Sequence, residues 1–155
     1  TRRCSWHSPR RARFGQSVPR AVLDTNVLVS ALITPAGASA RLLKAQRDGA
    51  FELVTSPLLR EELAEVLQRP KFRRYVTEVE ARAYVEMVRV DSIVLDDPDS
   101  TMAGPEPVDP DDRFLVELAR SVPVDALVSG DARLLDLRPA VPVMTPAEFL
   151  ARLDY

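Results

Sequence analysis

The stretch AVLDTNVLVSAL, residues 21–32, decides the fold class. It opens as a short apolar strand that ends at Asp24, turns through the polar residues Thr25 and Asn26, and then runs apolar to Ile33. In open parallel sheets, ligands bind beyond the carboxyl ends of the strands. A carboxylate that follows a buried strand directly is therefore a candidate functional group as well as a turn residue.

Four further strands and the helices between them follow the same plan. Short apolar segments predict strands at residues 51–55, 92–95, 124–129 and 141–144. Helix starts are indicated by Ser56-Pro57 and by the capping patterns Thr77-x-x-Glu80 and Thr145-x-x-Glu148. Apolar strands that alternate with helices indicate a parallel sheet covered on both faces. The sequence therefore predicts an α/β domain of three layers, α/β/α, with a five-stranded parallel sheet.

Composition restricts the chemistry that the chain can perform. Its 155 residues suffice for one domain, and Cys4 and His7 are its only cysteine and histidine. An intrachain disulfide and a cysteine-based zinc site are excluded, as are Ser-His-Asp, Cys-His and histidine-base catalysis. Any hydrolytic chemistry must therefore depend on carboxylates.

Charge is distributed unevenly along the chain. Residues 1–20 contain six arginines and no acid, so the other 15 bases face 23 acids, a formal net charge of −8 for residues 21–155. We expect a basic mobile arm over residues 1–20 and a folded domain over residues 21–155. The arm has two open interpretations, an RNA-contacting segment and a disordered terminus. No apolar run approaches the roughly 18 residues of a membrane span, and the expected compartment is the cytoplasm.

Acidic residues from four separate segments converge on the predicted carboxyl edge of the sheet. They are Asp24, Glu61 with Glu62, Asp109 with Asp111 and Asp112, and Asp131. Several carboxylates close together repel one another unless a cation is present. Ligation by oxygen alone suits Mg²⁺ or Mn²⁺. Such a cluster predicts a metal site able to activate water and to neutralise a phosphate.

Four motifs in this order resemble the PIN-domain nucleases, and most closely the toxin subunits of bacterial toxin–antitoxin pairs. They are AVLDTNVLVSAL, SPLLREELAEVL, DPDDRFLVELA and LVSGDARLL, and the resemblance extends from residue 21 to about residue 150. It implies a five-stranded parallel sheet and metal-dependent hydrolysis of RNA phosphodiester bonds. It also implies a homodimer and a protein antitoxin as partner.

The resemblance assigns roles residue by residue. The metal-binding, catalytic acids it implies are Asp24, Glu62, Asp112 and Asp131. Thr25, Asn26, Ser129 and Asp109 are implied as supporting residues, and Asp109 and Asp111 leave open which aspartate is the third acid. Serine stands at position 129 where the family frequently has threonine, which keeps the hydroxyl.

Each acid also has a purely local interpretation. Asp24 can close a turn, Glu61 can favour a helix N-terminus, and Asp112 and Asp131 can cap helices. The alternative function is a catalytically silent PIN-like module that binds RNA or a protein partner. A receiver or phosphoryl-transfer domain is disfavoured, because it needs a lysine near the acidic pocket and the chain has only Lys44 and Lys71.

Overall fold

A computed structural model describes residues 18–98 and 112–155 of the chain. These residues form five strands and seven helices, with a short 3-10 turn at Pro70–Phe72. The strands are β1 Arg20–Leu23, β2 Glu52–Thr55, β3 Ile93–Val94, β4 Ala126–Val128 and β5 Val143–Met144. The helices are α1 Thr25–Ile33, α2 Ala38–Arg47, α3 Pro57–Leu67, α4 Glu78–Val90, α5 Arg113–Ser121, α6 Ala132–Leu135 and α7 Pro146–Arg152.

The five strands form one parallel sheet in the order β3-β2-β1-β4-β5. β1 is therefore the central strand, with β2 on one side and β4 on the other. Because all the strands run the same way, their carboxyl ends lie at one edge of the sheet. This confirms the prediction of a five-stranded parallel sheet.

Helices cover both faces of the sheet. Ala21 and Leu23 of β1 pack into a core shared with α1, α2, α4 and α7. Val22, between them, faces the opposite core, to which α5 contributes Leu115 and Leu118. Successive side chains of a strand point to opposite faces, so the three buried apolar residues of β1 supply both cores at once. The predicted three-layer α/β/α architecture is confirmed.

The structure departs from the sequence-based expectation after β1. The apolar segment that ends at Ile33, with the polar residues Thr25 and Asn26, forms the single helix α1. Thr25 and Asn26 thus lie in its first turn rather than in a loop. Val27, Leu28 and Val29 are all buried, and a helix buried around most of its circumference shows little of the periodicity that identifies helices in a sequence.

The start of the sheet also differs by one residue. β1 begins at Arg20, which the sequence analysis placed in the basic arm. The Arg20 backbone N–H donates to Asp125 at 2.9 Å, and its guanidinium pairs with Glu52 at 3.0 Å. Both partners draw Arg20 into the sheet. Residues 1–17 of the predicted arm lie outside the described residues.

No single helix in the described ranges is long and apolar enough to cross a membrane. Taken together, α1 and α2 are long and apolar enough for a membrane span by length and composition alone, but they are bent by 95° at their junction.

Candidate active site

Asp24 lies at the carboxyl end of the central strand. Its backbone N–H donates to the carbonyl of Val128 at 2.9 Å, which continues the pairing of β1 with β4. Only 5% of the residue is exposed. Burial raises the pKa of the Asp24 carboxyl, and the nearby charge of Asp131 acts in the same direction. Hydrogen bonds from Ser129 and from backbone N–H groups oppose this shift without cancelling it.

Ser129 joins two of the predicted acids. It follows the last residue of β4 and is fully buried. Its hydroxyl donates to Oδ2 of Asp24 at 2.8 Å and accepts a hydrogen bond from the backbone N–H of Asp131 at 3.0 Å. The residue thus connects the carboxylate beyond β1 to the loop beyond β4.

Asp131 begins α6 and has its own local partner. Its Oδ1 accepts the backbone N–H of Arg133 at 2.9 Å, and the Arg133 guanidinium pairs with Oδ2 at 3.4 Å. These interactions lower the pKa of the Asp131 carboxyl, the backbone N–H most of all. Asp131 is therefore a helix cap as well as a neighbour of Asp24. The sequence analysis did not identify Arg133. The available signal was a basic residue two positions after an acidic residue at the start of a helix.

Glu62 approaches the same edge from α3. Ser56 caps this helix by accepting the backbone N–H of Leu59, as Ser56-Pro57 predicted. The Thr25 hydroxyl donates to Oε2 of Glu62. Thr25 is buried and follows Asp24 directly, so one short segment contacts β4 through Asp24 and α3 through Thr25.

The remaining predicted residues are less closely connected. Asp112 lies at the N-terminal end of α5, which packs against β1 and β4. Asn26 is exposed in the first turn of α1. Asp109 and Asp111 lie outside the described residues. Within residues 18–98 and 112–155, no three Asp, Glu, His or Cys side chains are close enough to hold one metal ion together.

The donor chemistry nevertheless fits a hard cation. Asp24 is a buried carboxylate whose ionisation is opposed by burial and by Asp131, and a bound cation favours the ionised form of both groups. The side chains at this edge offer oxygen ligands, which divalent magnesium and manganese prefer.

Comparison with known proteins places the fold in a family. A family model described as a PIN domain matches residues 20–133. The structure of PAE2754 from Pyrobaculum aerophilum superposes with a TM-score of 0.61 at 18% identity, over 96% of this chain and 98% of that one. VapBC2 from Rickettsia felis, solved bound to a DNA fragment from its promoter, gives a TM-score of 0.57 at 10% identity, over 81% and 98%. No curated protein matches the chain. At these identities the two structures establish the likeness of the fold, and the family match establishes membership: this chain belongs to the PIN domain family.

Proposed function

We propose that this protein is a metal-dependent endoribonuclease and the toxin of a toxin–antitoxin pair. PIN domains are generally nucleases. The observation that carries the proposal is the hydrogen-bonded connection from Asp24 through Ser129 to Asp131, at the carboxyl edge of the sheet. Glu62 joins the same segment through Thr25. Ligands of open parallel sheets bind at this edge.

Asp24 and Asp131 would hold a Mg²⁺ or Mn²⁺ ion, with Glu62 and Asp112 completing the acidic set. Such an ion makes water a stronger nucleophile at neutral pH and neutralises charge on the phosphate. Asp109 remains a candidate supporting residue from the segment outside the described ranges.

The other polar side chains position these acids. Ser129 fixes one oxygen of Asp24, and Thr25 orients the carboxylate of Glu62. Glu62 is suited to orient the attacking water or to bind a second ion. Arg133 restrains Asp131 through its ion pair, and a bound ion would share the same carboxylate oxygens. Hydrolysis would leave a 5′-phosphate and a 3′-hydroxyl.

An antitoxin partner and a homodimer form part of the proposal. VapBC2, to which this fold is similar, is a complex solved with a fragment of its promoter DNA. The partner proposed here is a protein that blocks the acidic edge.

Cleavage of single-stranded RNA by the purified protein tests the function. We expect products with Mg²⁺ or Mn²⁺ and none with EDTA. Asp24→Asn should lose at least about a hundredfold in rate, because losing even a residue that only positions a metal ligand costs about 10–100-fold. Ser129→Ala should lose about tenfold or more, whereas Ser129→Thr keeps the hydroxyl and most of the rate.

A matched control is Asp154→Asn, which makes the same charge change at the positive φ of 56° that asparagine tolerates. Cleavage that persists in EDTA and in Asp24→Asn would refute the metal mechanism. Binding of RNA without cleavage in either metal would instead identify a silent binding module.

A further inference from the structure

A basic surface segment joins α3 to α4. Residues 69–77, with the sequence RPKFRRYVT, include four bases and no acid. The domain that carries this basic segment, residues 21–155, has a formal net charge of −8. A polyanion that the domain as a whole repels is therefore attracted locally to the basic segment.

Three of the four bases have no acidic partner. Arg69, Lys71 and Arg74 are exposed, and no described Asp or Glu forms an ion pair with any of them. Arginines elsewhere in the described ranges do pair with acids, namely Arg20, Arg89, Arg113, Arg133, Arg138 and Arg152. The charges of the basic segment are thus left to solvent or to an external anion.

The backbone of the basic segment is fixed from inside the protein. Phe72 and Val76 are buried in the core that contains residues of α3 and α4. The Val76 backbone N–H donates to the carbonyl of Phe72 at 3.0 Å, and the Arg73 guanidinium donates to the carbonyl of Leu67 at the end of α3. The exposed bases therefore stand on an ordered turn, so that a ligand does not have to order this backbone when it binds.

An exposed aromatic ring lies among these bases. Tyr75 is 48% exposed, more than any other aromatic residue in the described ranges. The guanidinium of Arg74 lies 5.0 Å from the centre of its ring. Proteins that bind single-stranded nucleic acid combine cations that follow the phosphates with aromatic rings on which bases stack. An acidic polypeptide would match the cations alone, so the combination favours single-stranded RNA.

Helix α3 leads from the acidic edge to the basic segment. Glu62 accepts the hydroxyl of Thr25 at that edge, and Arg69 follows Glu62 by seven residues. Seven residues correspond to about two helical turns, or roughly 10 Å along the axis. Binding sites for single strands cover about 4–16 nucleotides, so one strand of RNA is long enough to reach both places.

We propose that the basic segment, residues 69–77, binds the RNA strand that the acidic edge cleaves, to one side of the cleavage position. Arg69, Lys71 and Arg74 pair with phosphates of the strand, and a base stacks on Tyr75. The inference rests on the proposed function, because that function makes RNA the substrate. It adds a place where the domain attracts RNA without a metal ion.

The test measures binding of a labelled, non-hydrolysable single-stranded RNA of about twelve nucleotides by fluorescence anisotropy in EDTA. Lys71→Gln with Arg74→Gln should weaken binding by at least about tenfold. The dependence of log K on log salt should become shallower by about 1.4, which is about 0.7 for each lost phosphate contact. Tyr75→Leu should weaken binding by at least about fivefold, and Tyr75→Phe by less than about twofold.

A matched control lies on α2. Arg41→Gln with Lys44→Gln also removes one arginine and one lysine three positions apart, from a helix that carries bases of its own. Arg41 donates to the carbonyl of Tyr155 at 3.3 Å. This control should change RNA affinity by less than about threefold and leave the salt dependence unchanged. Lys71→Arg with Arg74→Lys keeps both charges and should retain affinity within about threefold, which guards against misfolding as the cause of a loss.

The outcomes separate this inference from the proposed nuclease. If wild type binds RNA through Lys71 and Arg74 but does not cleave it with metal, the nuclease fails and the RNA site stands. If wild type cleaves RNA and the Lys71–Arg74 variant binds as wild type does, only the RNA site fails. Absence of RNA binding, equal losses in the variant and its α2 control, or polyglutamate that binds as tightly as RNA of equal length would also overturn the RNA site.

Discussion

Two neighbouring acids at the carboxyl edge have opposite electrostatic environments. Burial raises the pKa of the Asp24 carboxyl, whereas the N–H groups of Arg133 lower that of Asp131. Ser129 contacts both residues. The pair therefore combines a carboxylate that is costly to ionise with one that ionises readily, and a bound cation would favour the ionised form of both.

The raised pKa of Asp24 predicts a specific pH dependence of stability without metal. Between the usual value of 3.8 and the raised one, the folded chain holds a proton that the unfolded chain has released. The Asp24 contribution to the free energy of unfolding therefore falls as pH rises through this window. The free energy of unfolding of Asp24→Asn should therefore rise relative to that of wild type as pH increases from about 3.8. The difference should become constant once pH exceeds the raised pKa of Asp24. Urea unfolding in EDTA across this range measures the difference.

Asp131→Asn is the matched comparison. Its carboxyl has a lowered pKa, so wild type gains stability from Asp131 as pH rises towards 3.8. The free energy of unfolding of Asp131→Asn should therefore fall relative to that of wild type as pH rises over that range. Difference curves of the same sign for both variants would contradict the electrostatic account.

At the scale of elements, α3 links the acidic edge to the core. It carries Glu62 to that edge, and its residues Leu63, Val66 and Leu67 are buried in the core. Its start is set by the hydroxyl of Ser56 at the carboxyl end of β2. Changes in the position of this helix should therefore affect function as well as stability.

Removal of this cap should have a larger functional effect than removal of an equivalent cap elsewhere. The matched variant is Thr145→Ala, which removes the N-cap hydroxyl of α7 and so breaks its capping box. Ser56→Ala and Thr145→Ala should each lower the free energy of unfolding by about 1 kcal/mol. Only Ser56→Ala should also slow RNA cleavage, because α3 carries Glu62. Urea unfolding and cleavage rates measure the two effects, and equal loss of activity in both variants would be inconsistent with this role of α3.

The elements differ in how far the sequence predicts them. Helices with polar faces and caps, such as α3 and α7, could be placed from their start signals. Helix α1 could not, because its apolar residues hide the helical period. Strands β3, β4 and β5 were predicted too long: β5 pairs with β4 only at Val143 and Met144, although the Pro142 carbonyl still accepts the backbone N–H of Leu127 at 2.9 Å.

At the candidate site, too, some features could be predicted from the sequence and others could not. That Asp24 and Asp131 lie near each other follows from the parallel topology, since residues beyond adjacent strands meet at one edge. The hydroxyl link through Ser129 depends on side-chain directions that the strand pattern does not specify. The full acidic set stays a prediction, because Asp109 and Asp111 lie outside the described residues and Asp112 only begins the described part of its segment.

At the scale of the molecule, acidic charge opposes RNA binding. Residues 21–155 carry a formal net charge of −8, and a bare acidic edge repels phosphate. A divalent ion should therefore tighten the binding of a non-hydrolysable RNA by wild type, by about tenfold or more. The double variant Asp24→Asn with Asp131→Asn should bind more tightly than wild type in EDTA and respond little to metal. Fluorescence anisotropy at constant ionic strength measures both effects.

Asp154→Asn again controls for charge alone and should retain the metal response. Equal metal effects on wild type and on the double variant would show that the ion acts elsewhere than at these two acids.

The central position of β1 has a consequence for synthesis on the ribosome. Strand β1 takes one neighbour from residues 126–128, and Asp24 receives its hydroxyl donor from a serine 105 residues later. A growing polypeptide that ends before Ser129 lacks half of the neighbours of its central strand and the partner of its buried carboxylate. Under the proposed function, the emerging chain has no complete acidic edge for RNA cleavage until Ser129 has been made and has folded against Asp24.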